Sequence, residues 1–255
     1  MSRGPIRWSE RKIRTMEGDG CGQGSGANYK PWLRVEEVSS LGRSRRVWSN
    51  KTGRTHHLLS DVEYNLFLAL EWQQDIIDIR EQYPLDRDLT QNVARSLGIR
   101  HPSYPGTQVP TVMTADFLVI KQRGSERVLE AFNAKRDEEA EDESSLLKLE
   151  IQRTYFEQLE VPHHLVYHSQ IPLPAVTNIN WIRDALLKPG EAEPRVGYFA
   201  GLSARMASDL SAFADNEISL SAYCIGFDER YGIEPGTGLR VARMLMQERV
   251  LKVCL

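Results

Sequence analysis

Two acidic residues and a lysine are spaced so that they could act together on a phosphate ester. Glu63 stands near the start of a helix pattern, Asp116 lies in the strand pattern 113–120, and Lys135 ends the next strand pattern, 128–135. Carboxylate oxygens can hold Mg²⁺ against a scissile phosphate, while an ammonium group stabilises charge or orients the attacking water. The set predicts hydrolysis of DNA, with these three residues as the catalytic groups.

A hairpin is the element that would bring the two strand residues together. The connection 121–127 contains Gly124 and Ser125, which favour a turn between antiparallel strands. Asn133 and Lys135 alternate onto one face of the second strand, so the turn would bring Asp116 beside both of them. A single cluster requires this geometry.

Simpler interpretations of the same residues remain open at this point. Ser60 and Glu63 fit a capping box, in which Glu63 would only satisfy a backbone N–H at a helix start. Asp116 could be a polar residue at a strand edge and Lys135 a solvated strand end. An Asp followed by Asn-x-Lys is by itself a weak pattern.

The composition is that of a folded globular protein. The chain has 255 residues, of which 41% are hydrophobic and 26% are charged, enough for one large or two smaller domains. No apolar signal-peptide core or membrane-spanning stretch is evident, so we expect a cytoplasmic protein. The three cysteines are far apart and predict neither disulfides nor a zinc site.

Positive charge is concentrated before the proposed catalytic helix. Residues 1–57 contain twelve Lys and Arg and five acidic residues, although the whole chain has a net charge of −3. Local positive potential favours phosphate contacts whatever the net charge. The alternative is a solvated basic surface. The predicted DNA-binding residues are Arg43, Arg45, Arg46, Lys51, Arg54, His56 and His57.

Two prolines in 171–174 indicate a domain boundary. We predict a basic arm and start of the nuclease domain at 1–57, an α/β catalytic domain at 58–172 and a mainly helical domain at 173–255. Helix patterns followed by a strand pattern at 250–255 suggest a winged-helix-like module, which often binds DNA. An interaction domain remains the alternative, because the chain ends before a second wing strand.

Three segments give the chain its resemblance to a known family, namely residues 42–63, 70–72 (LEW) and 78–85 (DIREQYPL). Through them, about residues 16–185 resemble TnsA, the endonuclease subunit of heteromeric cut-and-paste bacterial transposons. The resemblance implies a nuclease domain similar to type II restriction enzymes, whose helix acid, strand Asp and strand Lys fall on Glu63, Asp116 and Lys135. It also implies a metal cofactor, Mg²⁺ or alternatively Mn²⁺.

The family pattern has a further metal ligand two residues before the lysine, a position that is Asn133 here. Restriction enzymes usually have Glu there, and some TnsA proteins have Gln. The amide oxygen of Asn133 can still coordinate Mg²⁺, with a shorter arm and one charge fewer. The resemblance therefore implies Glu63, Asp116 and Asn133 as metal ligands.

The resemblance also implies a role in transposition. The chain would bind transposon-end DNA and cleave its 5′ strands, and would be nucleoid-associated when bound. A TnsB-like DDE transposase would cut and join the 3′ ends, and a TnsC-like AAA+ ATPase would contact the endonuclease. Two alternatives remain, a stand-alone restriction-like endonuclease and a catalytically inert DNA-bound assembly subunit. The second of these is favoured by Asn133.

Overall fold

The chain divides into two compact units, residues 1–172 and 173–255. The computed structural model describes residues 6–37, 43–212 and 218–255. The division falls directly after Pro172, and Pro174 lies in the first turn of the helix that follows. Within those ranges, no helix has both the length and the apolar character needed to cross a lipid bilayer.

The first unit combines helices with a four-stranded sheet. Its elements are α1 (Glu10–Gly18), β1 (Arg45–Ser49), β2 (Arg54–Leu58), α2 (Asp61–Trp72), β3 (Ile76–Pro84), α3 (Arg87–Ser96), β4 (Thr114–Arg123), β5 (Glu126–Lys135), α4 (Glu143–Gln158) and β6 (His163–Tyr167). The sheet order is β3-β4-β5-β6. This arrangement confirms the predicted α/β character of the unit.

The predicted hairpin forms the centre of the sheet. β4 and β5 pair antiparallel, and Gly124 in the turn has a φ of 61°, which favours glycine. α4 then connects β5 to β6, which pairs with β5 in parallel. The apolar faces of the sheet and α4 meet in a core that includes Leu118, Ile151 and Phe156. The hairpin thus holds Asp116 and the end of β5 on a rigid base.

The N-terminal residues are built into this unit and do not form a separate arm. Ile13 of α1 and Trp32 belong to one buried cluster with Val112, which precedes β4. Glu81 of β3, which is fully buried, accepts hydrogen bonds from Arg54 and His56 of β2. Buried apolar packing and a buried ion pair therefore anchor both ends of this segment to the rest of the unit.

The regular elements described in the second unit are all helices. Its helices are α5 (Leu173–Arg183), α6 (Tyr198–Ala212), α7 (Leu220–Tyr231) and α8 (Thr237–Gln247). They enclose a core that includes Met206, Phe227 and Val241. The carboxylate of Asp228 accepts the backbone N–H groups of Gly236 and Gly238, which satisfies the start of α8.

The predicted strand at 250–255 is wrong, and the winged-helix prediction is not confirmed. Arg249 adopts a φ of 63°, and the N–H groups of Val250 and Leu251 both donate to the carbonyl of Leu245. These bonds turn the chain back onto the end of α8 instead of extending it. Among the described residues of this unit, no strand is available to form a wing.

Candidate active site

Glu63 lies in the first turn of α2, where both its backbone and its carboxylate take part in the helix cap. Ser60 caps the helix by accepting the N–H of Glu63 at 3.1 Å, as the capping pattern predicts. The Glu63 carboxylate accepts the Ser60 hydroxyl at 3.1 Å and the N–H of Leu59 at 2.9 Å. The cap therefore fixes the carboxylate, which is 6% exposed, and does not remove it from the site.

Asp116 lies where the hairpin strands stop pairing. The β4–β5 ladder ends with Phe117 opposite Phe132. Beyond this pair, the Asp116 carboxylate accepts the N–H of Ala134 at 2.7 Å. A side-chain oxygen thus takes the hydrogen bond that a backbone carbonyl would take in a continued ladder, which holds Asp116 against the end of β5.

The charges of Glu63, Asp116 and Lys135 interact. Burial, followed by the charge of Asp116, raises the pKa of Glu63 to about 8. Burial also raises the pKa of Asp116, although Lys135 and the Ala134 N–H oppose the shift. The charge of Asp116 is the main cause that raises the pKa of Lys135. The structure therefore brings the three predicted catalytic residues into one electrostatic cluster.

Asn133 does not present its oxygen as the metal-ligand prediction requires. Its Oδ1 lies 2.7 Å from Nε2 of His163, and its side chain hydrogen-bonds the Asp116 carboxylate. Burial lowers the pKa of His163 to about 4, so the ring is neutral and donates from Nε2 to the amide oxygen. The amide nitrogen then faces Asp116, so in this arrangement Asn133 supports Asp116 and the prediction of an oxygen ligand is corrected.

A cavity of about 380 Å³ lies beside these groups. Asp116, Asn133 and Lys135 line it, and Lys148 and Gln152 of α4 form another part of its wall. A reacting group could therefore reach the strand residues from this side. Across the described residues, no three His, Cys, Asp or Glu side chains form a metal-binding group.

The acidic run after β5 begins next to the lysine. Residues Asp137–Glu141 form a 3₁₀ helix, and the Glu139 carboxylate lies 3.6 Å from Nζ of Lys135. Glu150 of α4 pairs with Arg153 at 2.8 Å. Of these acids, Glu139 is the one whose contact with the cluster is direct.

The predicted DNA-binding residues differ in how far their side chains are exposed. Arg43 and Arg46 are exposed, although Arg46 pairs with Glu36 at 3.3 Å. By contrast, Arg54 is 7% exposed and His56 is fully buried, and both are bound to Glu81. Arg54 and His56 hold the β1–β2 pair on β3. Neither side chain can reach a phosphate from the interior, so both are withdrawn from the set of predicted DNA-binding residues.

The remaining three predicted residues each contact the protein. Arg45 pairs with Asp61 at 2.8 Å, and Lys51 donates to the carbonyl of Gln73. His57 lies 3.7 Å from Glu36. These side chains are partly exposed, so a phosphate would have to share or replace the contacts.

Two residues of the site were not found from the sequence. Nε2 of Gln82 donates to Oε2 of Glu63 at 3.3 Å, and His163 supports Asn133 as described. Gln82 lies in the segment 78–85 that carries the family resemblance, which was a usable signal. His163 begins β6, far from Asn133 in sequence, so its spacing gives no sign of this contact.

Fold and site together define a mixed α/β protein with a carboxylate–lysine cluster at the end of a central hairpin. Residues 73–168 match the model of the TnsA-like endonuclease N terminal, and residues 170–255 match that of the TnsA endonuclease C terminal. The first match contains Asp116, Asn133 and Lys135 and begins after Glu63.

A relative covers the region before the first match. The chain is 37% identical over 252 residues to the transposon Tn7 transposition protein TnsA of Escherichia coli. The aligned region covers 99% of this chain and 89% of that protein. This chain therefore belongs to the TnsA family of transposition endonucleases.

Proposed function

We propose that this chain is a metal-dependent DNA endonuclease that cleaves the 5′ strands at transposon ends during cut-and-paste transposition. The observation that carries the proposal is the cluster of Glu63, Asp116 and Lys135 at the end of the hairpin. Family membership supplies the reaction class, and the cluster supplies the groups that this reaction needs.

The chemistry of the donor set fits a divalent cation. Burial is the main cause that raises the pKa values of Glu63 and Asp116, so a bound cation would favour their ionised forms. Among the described residues whose charges act most strongly on this pair, Lys135 supplies the positive charge and Glu139 adds a third negative charge. Mg²⁺ or Mn²⁺ held by both carboxylates would supply a Lewis acid and lower the pKa of a bound water.

Lys135 would act as a cation in this reaction. Its pKa is raised, chiefly by Asp116, which favours the protonated form at neutral pH. Its ammonium group is suited to stabilise negative charge on the scissile phosphate or to orient the attacking water. DNA would have to draw it away from Glu139.

The two carboxylates are held by donors of the chain. Leu59 and Ser60 orient Glu63, and the N–H of Ala134 orients Asp116. Asn133, braced by His163, adds a contact to Asp116 and thus supports a ligand without being one. Fixed ligands lower the cost of ordering the site when metal and DNA bind.

The arrangement also supports the restriction-endonuclease-like fold inferred from the resemblance. An acid on α2, an Asp on β4 and a Lys on β5 face one site, and α4 leads into a parallel strand. The proposed substrate is transposon-end DNA, contacted through exposed arginines such as Arg43 and Arg46. The proposed partners are a TnsB-like transposase and a TnsC-like AAA+ ATPase, acting in the cytoplasm at the nucleoid.

A cleavage assay with strand-resolved products tests the proposal. End-containing DNA is incubated with Mg²⁺ and the protein, with and without the transposase subunit. We expect 5′-strand cleavage that Asp116→Asn abolishes, because this variant keeps the shape and the acceptor for Ala134 but lacks the metal-binding charge. Sequence-specific cutting by the chain alone would indicate a restriction-like enzyme. Absence of cutting under every condition would indicate an inert assembly subunit.

A further inference from the structure

Gln82 has a backbone conformation that is unusual for its position. It lies within β3 opposite Asp116, between the pairs Glu81–Phe117 and Tyr83–Ala115. Its φ is 47°, a left-handed value that residues other than glycine avoid for steric reasons. The residue is 3% exposed, so the conformation is held by its surroundings. Strained backbone of this kind often occurs at functional sites.

The contacts of Gln82 show what this conformation achieves. Its Nε2 donates to Oε2 of Glu63 at 3.3 Å, and its Oε1 accepts the hydroxyl of Thr114 at 3.2 Å. With the Thr114 hydroxyl donating to the amide oxygen, the NH₂ group faces Glu63. The Thr114 carbonyl in turn accepts Nε2 of Gln152 at 2.9 Å, which connects this amide to α4.

The backbone of Gln82 is also bonded to the N-terminal segment. Its carbonyl accepts the N–H of Trp32 at 3.2 Å, and Trp32 is 2% exposed in its own buried cluster. This bond helps to compensate the strained conformation. A role in packing alone would require the backbone contact and would not require an amide aimed at Glu63.

We propose that Gln82 is a positioning residue that orients the Glu63 carboxylate, and that its left-handed backbone serves to aim the side-chain amide at Glu63. The inference rests on the proposed function, since it assigns Gln82 a role in the same site. Glu63 would then be held by three donors, from Leu59, Ser60 and Gln82, so that its remaining lone pair, on Oε1, is directed toward the metal.

Gln82→Gly removes the amide and permits the positive φ, so it separates aiming from backbone strain. Gln82→Met keeps the length of the side chain and removes the amide, in case the glycine variant does not fold. The matched control is Glu160→Gly, since Glu160 is an exposed residue of the same unit with a φ of 54°. The control relieves strain away from the site.

Two measurements are made on the full chain well below its melting temperature. The first is the single-turnover cleavage rate on end-containing DNA, with the transposase subunit present. The second is the rise in melting temperature caused by Mn²⁺ without DNA, which reports metal binding independently of activity. We expect both Gln82 variants to lose about tenfold or more in rate and part of the Mn²⁺ effect, as removal of a ligand's supporting contact does. Glu160→Gly should match the wild type.

The outcomes distinguish the two proposals. A folded Gln82 variant that cuts DNA and responds to Mn²⁺ like an active wild type would overturn the positioning role and leave the proposed function intact. A wild-type protein that does not cut would overturn both proposals. If cleavage is lost only in proportion to a lowered melting temperature, with the Mn²⁺ effect unchanged, Gln82 is a packing residue and the inference is wrong.

Discussion

Replacing Glu63 by Gln should stabilise the metal-free protein while abolishing cleavage. Glutamine keeps the size of the side chain and an oxygen for the N–H of Leu59 and the amide of Gln82. The Ser60 hydroxyl can accept a hydrogen bond from the new NH₂ group in place of donating one. The substitution therefore preserves the helix cap and removes only the ability of residue 63 to ionise.

The expected gain in the free energy of unfolding follows from the difference between the pKa of this carboxyl group in the folded and in the unfolded state. Burial, followed by the charge of Asp116, raises its pKa from 4.5 to about 8. The folded state binds the proton more tightly than the unfolded state, so the free energy of unfolding falls as pH rises through this window. At 1.36 kcal/mol per pKa unit, the penalty at pH 7 is roughly 3 kcal/mol. It is under about 1 kcal/mol at pH 5.

Thermal unfolding in EDTA at pH 5 and pH 7 measures this difference. At pH 7 the variant should melt higher than the wild type by roughly 6 to 12 °C, taking about 2 to 4 °C per kcal/mol for a unit of this size. At pH 5 the gain should nearly disappear. A melting difference that is independent of pH would refute the electrostatic reasoning. A lower melting temperature with full cleavage would show that Glu63 is only a cap.

Three further predictions concern DNA contact, the amide near Asp116 and the second unit. Reversing Arg43 and Arg46 to Glu should weaken binding uniformly across DNA sequences and reduce the salt slope by about one unit per lost phosphate contact; an unchanged slope in binding titrations would assign them to protein contacts. Asn133→Asp replaces a donor to Asp116 by a carboxylate oxygen, so the metal-free variant should melt at a lower temperature than the wild type. Mg²⁺ should raise the melting temperature of the variant more than that of the wild type, because hard cations prefer carboxylates. Equal melting curves for the two proteins would show that residue 133 does not affect metal binding. Gly238→Ala places a Cβ 2.8 Å from a backbone oxygen and should cost about 1 to 3 kcal/mol in denaturant unfolding, whereas Gly201→Ala, with nothing within 4 Å, should not destabilise; similar results for both would contradict the packing.

Much of the site could be predicted because local patterns determine it. Ser60 begins α2 with the expected side-chain cap, so the helix position of Glu63 follows from three adjacent residues. Gly124 supplies the turn that pairs β4 with β5, and this pairing brings Asp116 to Ala134. Each step depends on residues close in sequence or on a short hairpin.

The errors arose where the partner is distant in sequence. Arg54 and His56 have the composition of a basic surface, and only Glu81, on a different strand, shows that they are buried ion-pair partners. The same applies to Asn133, since His163 reaches it across the parallel pairing that follows α4. A charge count cannot distinguish an exposed cation from a buried one.

Backbone conformation was the other source of error. The apolar residues 250–255 have strand propensity, but Arg249 turns the chain back at the end of α8. Gln82 has a left-handed backbone although it is neither Gly nor Asn, the residues that usually signal it. Tertiary contacts impose both conformations.

The central claim is that Glu63 and Asp116 together hold the catalytic metal. Anomalous diffraction from crystals of the protein with end DNA and Mn²⁺ tests it most directly, because the peak locates the ion independently of any activity measurement. We expect one peak that places an Mn²⁺ ion in contact with both carboxylates and next to a DNA phosphate, with Lys135 nearby. An Mn²⁺ peak located only elsewhere, in crystals whose DNA is cut, would contradict this claim. So would a peak at this site in Asp116→Asn crystals that is as high as in the wild type.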